Sequence, residues 1–304
     1  MTVPFIPAKL AKAILFLRGE QDGTRWLSEL PATLDRYQQA WGLRLEAISD
    51  GGAMSACALG TAADGSPIVL KVPVDAAAGQ LEAELLRYWA PTGAVPAVLN
   101  QDPDTGVMVM ERILPGDTAW PRNGIDDARR YGDLLTRLNA PNPNTPPSLK
   151  PMDEVIEMRL DWARERFTNP DHQHPKAQLD AAREVFSQLR DTLDRTQARV
   201  LHADLQAKNV LNDSNASYAI DPMGAVGDPN AEAALWIAIQ DGPTSITQRI
   251  NQLADHPLLD ASRLAAWTFV LAIAEYRRYL PASARRIEEY LHTDHPPAHR
   301  TDPY

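Results

Sequence analysis

The polar side chains whose types and spacing suggest chemistry lie in one short run, residues 200–211. An apolar segment leads into His202 and Asp204, and four residues later Asn209 opens a second apolar segment. Asp221 then ends a third apolar segment. A tight polar loop would bring these side-chain oxygens together. Oxygen ligands of this kind suit Mg²⁺, and an aspartate just before them can accept a proton from an attacking hydroxyl.

Alone, the pattern H-x-D-x-x-x-x-N is weak, because Asp and Asn are common turn residues. Features upstream strengthen it. A turn with two glycines, residues 49–55, lies between strand-like segments, where backbone N–H groups can approach a phosphate. Lys71 lies inside an apolar strand, where a lysine is unexpected without a partner, and the following helix offers Glu82 and Glu84. Together these residues indicate a phosphate-binding unit followed by a metal-binding loop.

The first ~110 residues predict a small sheet with one internal helix. Residues 76–90 contain good helix formers with apolar groups at helical spacing. The dipeptide Asp64-Gly65 is a hairpin signal. The strand-like segments are 41–49, 55–60, 66–74, 95–99 and 107–110.

After Pro115-Gly116, a turn or linker signal, the chain is mostly helical, with short strands expected between 199 and 221. The proline-rich stretch 140–151 favours a loop between two helices. The most apolar late stretch, 265–280, predicts a buried helix too short to span a bilayer. We expect an N-terminal nucleotide-binding lobe (1–110), a hinge (111–118) and a C-terminal catalytic and acceptor-binding lobe (119–304).

Charge and cysteine content narrow the class of protein. The formal net charge is −10, which argues against a nucleic-acid partner and permits a cationic small molecule. The single cysteine, Cys57, excludes an intrachain disulfide, so a cytoplasmic location is expected. No targeting segment or membrane association is indicated.

In this order, the motifs resemble the aminoglycoside phosphotransferases, which share the protein-kinase fold, and within them the streptomycin 6-phosphotransferase and hydroxyurea phosphotransferase branch. The resemblance covers roughly residues 20 to 280, and VLHADLQAKNVL and AIDPMGAVGDP are its most specific segments. It implies an α+β, protein-kinase-like two-lobed fold with a small β-rich N-lobe and a larger helical C-lobe. The other matching segments are RWLSELPATLDRYQQAWGLRL, the two-glycine turn, VLKV, EAELLRYWAPTGAV and VMERILPG.

The resemblance also implies roles for residues. Asp204 would be the catalytic base or orient the acceptor hydroxyl, and Asn209 and Asp221 would hold Mg²⁺. Lys71, held by Glu82, would contact the ATP phosphates. His202 would support the loop through hydrogen bonds. Further ATP contacts fall on Gly52 and Ser55 in the two-glycine turn, on Met110 behind the adenine, and on the main chain of Glu111 and Ile113.

Some positions keep two interpretations. Lys208 either meets the transferred phosphoryl group or is a solvated lysine. Glu232 either braces the catalytic loop or is an acid near a helix N-terminus. Ala203 stands where family members commonly have glycine. Trp120, after the hinge, is a candidate cleft residue, whereas core packing is expected for Trp89, Trp162, Trp236 and Trp267.

Acidic residues at i,i+4 spacing mark one stripe of a helix expected from Pro151 to Phe167. Asp161 and Glu165 in this stripe either contribute to a wall that binds a cationic acceptor or lie on a solvated face. In the second interpretation the stripe is neutralised by arginines of the same helix. The stripe comprises Asp153, Glu157, Asp161 and Glu165, and the arginines are Arg159, Arg164 and Arg166.

The sequence therefore predicts an ATP- and Mg²⁺-dependent kinase of a hydroxylated small molecule, with streptomycin as the acceptor that the family implies. A kinase of an aminosugar, hydroxyurea or another metabolite remains open, as does a non-catalytic nucleotide-binding module; a protein kinase is a weaker option. A monomer or weak dimer is expected.

Overall fold

The computed structural model describes residues 4–51, 54–118, 127–169 and 176–293. It divides into two compact units, Met1–Gly116 and Asp117–Tyr304. The division falls inside the segment 111–118, where the Pro-Gly dipeptide interrupts the apolar pattern. Gly52 and Trp120 lie outside the described residues.

The first unit is a five-stranded antiparallel sheet in the order β1-β2-β3-β5-β4. Two N-terminal helices, α1 (Ala8–Arg18) and α2 (Glu20–Ala40), bury apolar side chains in one core with the sheet. The five expected strands are present, although the one expected at 95–99 lies at 98–101. Apolar residues of β1, β2, β3 and β5 face this core. The bounds of the strands are β1 (Arg44–Ile48), β2 (Ser55–Thr61), β3 (Pro67–Pro73), β4 (Val98–Gln101) and β5 (Met108–Glu111).

The predicted helix after β3 is α3 (Ala76–Trp89). Asp75 caps it by accepting a hydrogen bond from the N–H of Ala78, which satisfies one of the unpaired donors of the first turn. Apolar side chains of α3, with Leu85 and Trp89 fully buried, face the protein interior. Glu82 is on this buried side, so α3 carries a carboxylate into the interior of the unit.

The second unit is mostly helical. Helices α7 and α9 are apolar almost all round, and both are buried along nearly their whole length. The helix expected over 265–280 ends earlier, at Ala274, where Glu275 takes the C-cap position. The helices are α4 (Asp127–Leu138), α5 (Met152–Arg166), α6 (Lys176–Asp191), α7 (Pro229–Ile239), α8 (Ile246–Leu253), α9 (Ala261–Ala274) and α10 (Pro281–Thr293).

Short strands carry the polar loops of this unit. Strands β7 (Arg199–Leu201) and β10 (Ala225–Gly227) pair antiparallel. Strands β8 (Val210–Asn212) and β9 (Ser217–Ala219) form a hairpin that β6 (Asp117–Thr118) joins as a third strand. The loop 202–209 follows β7 directly, and the turn after β9 leads into β10.

The start of α5 is fastened to β10. The N–H of Val226 donates to Lys150 O at 2.9 Å, and Pro151 forms a β-bridge with Val226. Gly227 leaves room for Met152, since a Cβ there would overlap the Met152 side chain. Helix α5 therefore begins at a fixed place relative to the strand pair that carries the loop 202–209.

Core packing is expected for four tryptophans and is found for three of them. Trp89, Trp236 and Trp267 are buried as expected, whereas the expectation for Trp162 is wrong, since it lies 45% exposed on the outer side of α5.

Within the described residues, no helix combines the length and the apolar character that crossing a membrane requires.

Candidate active site

Asp204 lies at the centre of the loop between β7 and β8, and both its carboxylate oxygens are held. Oδ1 accepts from Arg159 Nη2 at 2.9 Å and from Gln206 Nε2 at 2.8 Å. Oδ2 accepts from Asn209 Nδ2 at 2.8 Å and lies 3.5 Å from Lys208 Nζ. The Asp204 side chain retains 13% exposure. The carboxylate is thus fixed in orientation while one part of it still reaches solvent.

The environment of Asp204 favours its ionised form. Burial works to raise the pKa of this carboxyl, but the nearby charges of Lys208 and Arg159 outweigh burial and hold the pKa below its ordinary value. A carboxylate with a low pKa is a good hydrogen-bond acceptor and a weak proton acceptor. It suits the orientation of a hydroxyl better than early removal of its proton.

Asn209 turns its amide nitrogen toward Asp204. Nδ2 donates to the Asp204 carbonyl oxygen at 2.9 Å as well as to Oδ2 at 2.8 Å. Since an amide nitrogen has two hydrogens, both are used, and the amide oxygen points away from Asp204. That oxygen is the hard ligand type that Mg²⁺ prefers.

Asp221 lies beside Asn209 through the pairing of β8 and β9. The N–H of Ile220 donates to Asn209 O at 2.9 Å. Asp221 itself has φ +57°, in the left-handed region that a non-glycine residue adopts at a cost. The turn that follows donates from Met223 and Gly224 to the carbonyl oxygen of His202 at 3.0 and 3.1 Å. The two expected metal ligands therefore lie on adjoining, hydrogen-bonded loops.

His202 is fully buried and uses both ring nitrogens. Nε2 lies 2.8 Å from Ile220 O, and Nδ1 accepts from the N–H of Asp204 at 3.3 Å. This network assigns the proton to Nε2. Burial lowers the pKa of His202, which favours the neutral ring. His202 thus connects the loop to the turn at Asp221 and is not placed for proton transfer.

Glu232 extends from the first turn of α7 under the same loop. Its carboxylate accepts from the N–H of His202 at 2.6 Å and from the N–H of Ala203 at 2.9 Å. Asp228 starts α7 as the N-cap, with Pro229 at the first helical position, as the sequence predicts. Of the two interpretations of Glu232, the geometry is that of a brace for the loop.

Ala203 has φ +65°, also in the left-handed region, and its side chain is fully buried. Glycine adopts this conformation without strain, whereas the Cβ of alanine makes it costly. Glu232 accepts from the N–H of Ala203 itself and from the N–H of His202 before it, so the strained residue lies in a tightly held part of the loop.

In the first unit, Lys71 and Glu82 form a buried pair. Nζ of Lys71 lies 2.6 Å from Oε1 of Glu82, and both side chains are at most 10% exposed. Lys71 lies on β3 and Glu82 on α3, so the pair joins the sheet to its helix. Glu84 is exposed on the opposite side of α3. The pair carries no net charge, which makes its burial tolerable.

The other residues expected to contact ATP lie along the same sheet. Ser55 is buried at the start of β2, and Met110 is buried in β5. The N–H of Glu111 donates to Ala97 O at 2.9 Å, so an adenine contact of Glu111 has to use its carbonyl oxygen. Ile113 follows β5 and is buried.

The acidic stripe of α5 is partly neutralised. Asp161 lies 2.7 Å from Arg183 of α6 and 3.1 Å from Arg164, whereas Glu165 is exposed. Asp161 follows Arg159 by two positions, about 200° around the helix, so it projects from the side away from the Asp204 contact. The expectation that Arg159 neutralises the stripe is wrong, because its guanidinium is engaged with Asp204.

Arg159 is the functional candidate that sequence reasoning missed. It lies 45 positions before Asp204 in the chain, and no local pattern announces the contact. The one local sign of its role is that Arg159 lies between the apolar residues Met158 and Leu160, on the buried side of α5. Among the described residues no group of three or more His, Cys, Asp or Glu side chains is arranged to hold a metal.

Known proteins resemble this chain in sequence and in fold. Residues 41–278 match the family of aminoglycoside/hydroxyurea antibiotic resistance kinases. The chain is 27% identical to a streptomycin 6-kinase of Streptomyces griseus, over 82% of this chain and 83% of the relative. It is 29% identical to a hydroxyurea phosphotransferase of Kitasatospora aureofaciens, over 86% of this chain and 76% of the relative.

Among solved structures, the choline kinase LicA from Streptococcus pneumoniae matches with a TM-score of 0.61 at 12% identity. The match covers 86% of this chain and 97% of that one, and LicA has also been solved in complex with AMP. At this identity the likeness shows the fold, which is protein-kinase-like, with a β-sheet N-terminal unit and a helical C-terminal unit. The family match extends from β1 through the loop 202–209 to the end of α9, and the chain belongs to the aminoglycoside/hydroxyurea antibiotic resistance kinases, enzymes that transfer a phosphoryl group to a hydroxyl.

Proposed function

We propose that this kinase uses ATP and Mg²⁺ to transfer the γ-phosphoryl group to a hydroxyl of an aminoglycoside, with streptomycin as the acceptor. The observation that carries the proposal is the ionised, fixed carboxylate of Asp204 beside Asn209 and Lys208. Phosphoryl transfer needs little covalent help from a protein. It depends on positioning the acceptor and on offsetting phosphate charge, and these residues are suited to both tasks.

Residues of the first unit would hold the nucleotide. Lys71, oriented by Glu82, would donate to the ATP phosphates. The carbonyl oxygen of Glu111 would accept from the adenine amino group, and the N–H of Ile113 would donate to the ring. Met110 would pack behind the base, and Ser55, at the start of β2, would lie near the phosphates.

The donors at Asn209 and Asp221 fit Mg²⁺. The amide oxygen of Asn209 is directed away from Asp204 because the nitrogen is fully used, and Asp221 supplies a carboxylate on the adjoining turn. Two protein oxygens are the usual complement for a magnesium ion that also takes phosphate oxygens. The ion would offset the negative charge of the phosphates when bound.

Asp204 would accept a hydrogen bond from the acceptor hydroxyl and direct its lone pair toward the phosphorus. Its pKa is held low, so the hydroxyl keeps its proton until the bond to phosphorus is forming. This timing suits a loose transition state, in which the leaving group departs early. The proton then passes to Asp204 or to the transferred phosphate.

Lys208 would change partners during the reaction. In the structure its ammonium lies 3.5 Å from Asp204 Oδ2, and its side chain is 57% exposed. An acceptor hydroxyl approaching Oδ2 would displace this weak contact. The freed ammonium could then donate to the phosphoryl group that is being transferred.

The net charge of the protein and the names of its relatives support a cationic aminoglycoside as the acceptor. Streptomycin carries guanidinium groups, and the net charge of −10 favours cationic ligands. Glu165 remains a candidate for contact with such a group, as does Asp161 if the acceptor replaces its arginine partners. A second candidate acceptor is hydroxyurea, because the hydroxyurea phosphotransferase matches this chain at similar identity.

Steady-state kinetics with ATP, Mg²⁺ and either streptomycin or hydroxyurea tests the proposal. We expect saturable phosphorylation of streptomycin and a fall in kcat of about 10² to 10⁴ for Asp204→Asn, with little change in the KM for ATP. Transfer to hydroxyurea alone would select the second acceptor. Turnover that survives in Asp204→Asn would refute the role of Asp204.

A further inference from the structure

The buried guanidinium of Arg159 links the catalytic loop to the end of α9. Nη2 donates to Asp204 Oδ1 at 2.9 Å and to Ala203 O at 3.2 Å. Nη1 donates to Glu275 Oε1 at 2.6 Å, and the other oxygen of Glu275 lies 2.9 Å from Arg277 Nη1. Charges of alternating sign thus run from Asp204 to Arg277 through the interior of the second unit.

The exposures show which members of this series are fixed. The side chains of Arg159 and Glu275 are 7% and 3% exposed, compared with 27% for Arg277. Removing two charges from water is costly, and it is tolerated only with good geometry on both sides of the guanidinium. Glu275 meets one side of Arg159 and Asp204 the other, so neither carboxylate can rotate freely.

The two carboxylate oxygens of Asp204 differ in how firmly their partners are held. Arg159 and Gln206 both donate to Oδ1, while Oδ2 receives Asn209 and the exposed Lys208. Oδ1 is thus engaged by a group that cannot leave without stranding a buried charge. Of the two partners of Oδ2, Lys208 is exposed and lies at the longer distance of 3.5 Å.

We propose that Arg159 is a positioning residue that holds Asp204 by Oδ1 and thereby presents Oδ2 to the acceptor hydroxyl, with Glu275 holding Arg159 in turn. The inference rests on the proposed function, since it concerns how Asp204 serves phosphoryl transfer. A purely structural role would be to join α5 to α9. That role would affect stability and leave kcat unchanged.

Three variants separate these roles. Arg159→Met removes the charge and the donors, and Arg159→Lys keeps the charge without the two-sided fork of the guanidinium. Arg286→Met is the matched control, because Arg286 is also largely buried and pairs with Asp241 at 3.0 Å within the same unit. We expect the control to lose stability and to keep the wild-type kcat.

For Arg159→Met we expect kcat to fall about 100-fold, as for a misplaced catalytic group, while the KM for ATP stays within about twofold of wild type. Arg159→Lys should recover part of the loss. An unchanged kcat in Arg159→Met would overturn the inference, as would a loss of kcat in Arg286→Met of the same size.

A thermal double-mutant cycle tests the pairing without any turnover. We expect Arg159→Met to lower Tm less in an Asp204→Asn background than in wild type, and the two decreases should differ by at least about 3 °C. The reason is that Asp204→Asn removes one of the two buried carboxylates that Arg159→Met leaves unpaired. Additive Tm changes would overturn the inference even in a fully active enzyme. Coupling in a chain that phosphorylates no acceptor would instead mean that the proposed function has failed and the pairing stands.

Discussion

At the scale of single residues, the catalytic loop depends on one buried carboxylate. Glu232 accepts from the N–H groups of His202 and Ala203, and the hydrogen bond from Leu205 also favours its ionised form. Burial nevertheless raises the pKa of Glu232 to about 7. The brace of the loop therefore titrates near neutral pH.

This shift predicts a pH dependence of stability. Between the ordinary carboxyl pKa and about pH 7, the folded protein keeps a proton that the unfolded chain has released, so the free energy of unfolding falls as pH rises. Glu232→Gln cannot titrate and should show a flatter dependence over this window. Urea denaturation of both proteins at several pH values measures it, and equal slopes would contradict the assignment.

The strained residue beside Asp204 gives a second prediction. Ala203→Gly should leave the free energy of unfolding within about 1 kcal/mol, because relief of the left-handed strain offsets the added freedom of the unfolded chain. Ala203→Val should destabilise clearly and reduce kcat, since a β-branched residue is a genuine outlier at positive φ. Thermal denaturation and kinetics of the two variants make the test; a Val variant as stable as the Gly variant would refute it.

The sequence predicts those site residues that lie close together along the chain, and it does not predict contacts between distant segments. Asp204, Asn209 and Asp221 were identifiable because they follow strand ends within one short segment, and Lys71 because a lysine in an apolar strand needs a partner. Arg159 was not, because its contact with Asp204 depends on how α5 packs. Likewise, the pairing of Asp161 with Arg183 depends on α6 lying beside α5.

At the scale of elements, the placement of Arg159 depends on where α5 begins. Helix α5 is bridged to β10 at Pro151, and β10 pairs with β7, which leads into the catalytic loop. Periodicity predicted α3, α5 and most strands, since their apolar faces are local patterns. It placed the end of α9 too late, since the helix stops at Ala274, where Glu275 takes the C-cap position.

The close approach at Gly227 predicts what happens when this junction is disturbed. Gly227→Ala adds a Cβ where the Met152 side chain already lies, which should cost about 1–3 kcal/mol and lower kcat by shifting α5. The matched control is Gly132→Ala in α4, whose new Cβ would come no nearer than 3.3 Å to the His256 ring and 3.6 Å to the Leu253 side chain. Denaturation and kinetics compare the two, and a Gly227→Ala enzyme with wild-type kcat would contradict the proposed coupling.

At the scale of the whole molecule, the two compact units should contribute separable steps. Lys71→Met in the first unit removes the cation beside Glu82, so it should lower stability and raise the KM for ATP by about tenfold or more. The KM for the acceptor should change little. Lys71→Arg, which keeps the charge, serves as the control for folding, and an unchanged KM for ATP in Lys71→Met would refute the nucleotide role.

Mass spectrometry of the reaction products tests most directly whether streptomycin is the acceptor. The enzyme would be incubated with ATP and Mg²⁺ and, separately, streptomycin, other aminoglycosides, hydroxyurea and aminosugars, with Asp204→Ala in parallel. We expect a phosphate adduct on streptomycin that is absent with Asp204→Ala. An adduct formed equally by both proteins, or none on any aminoglycoside while ATP still binds, would contradict this expectation.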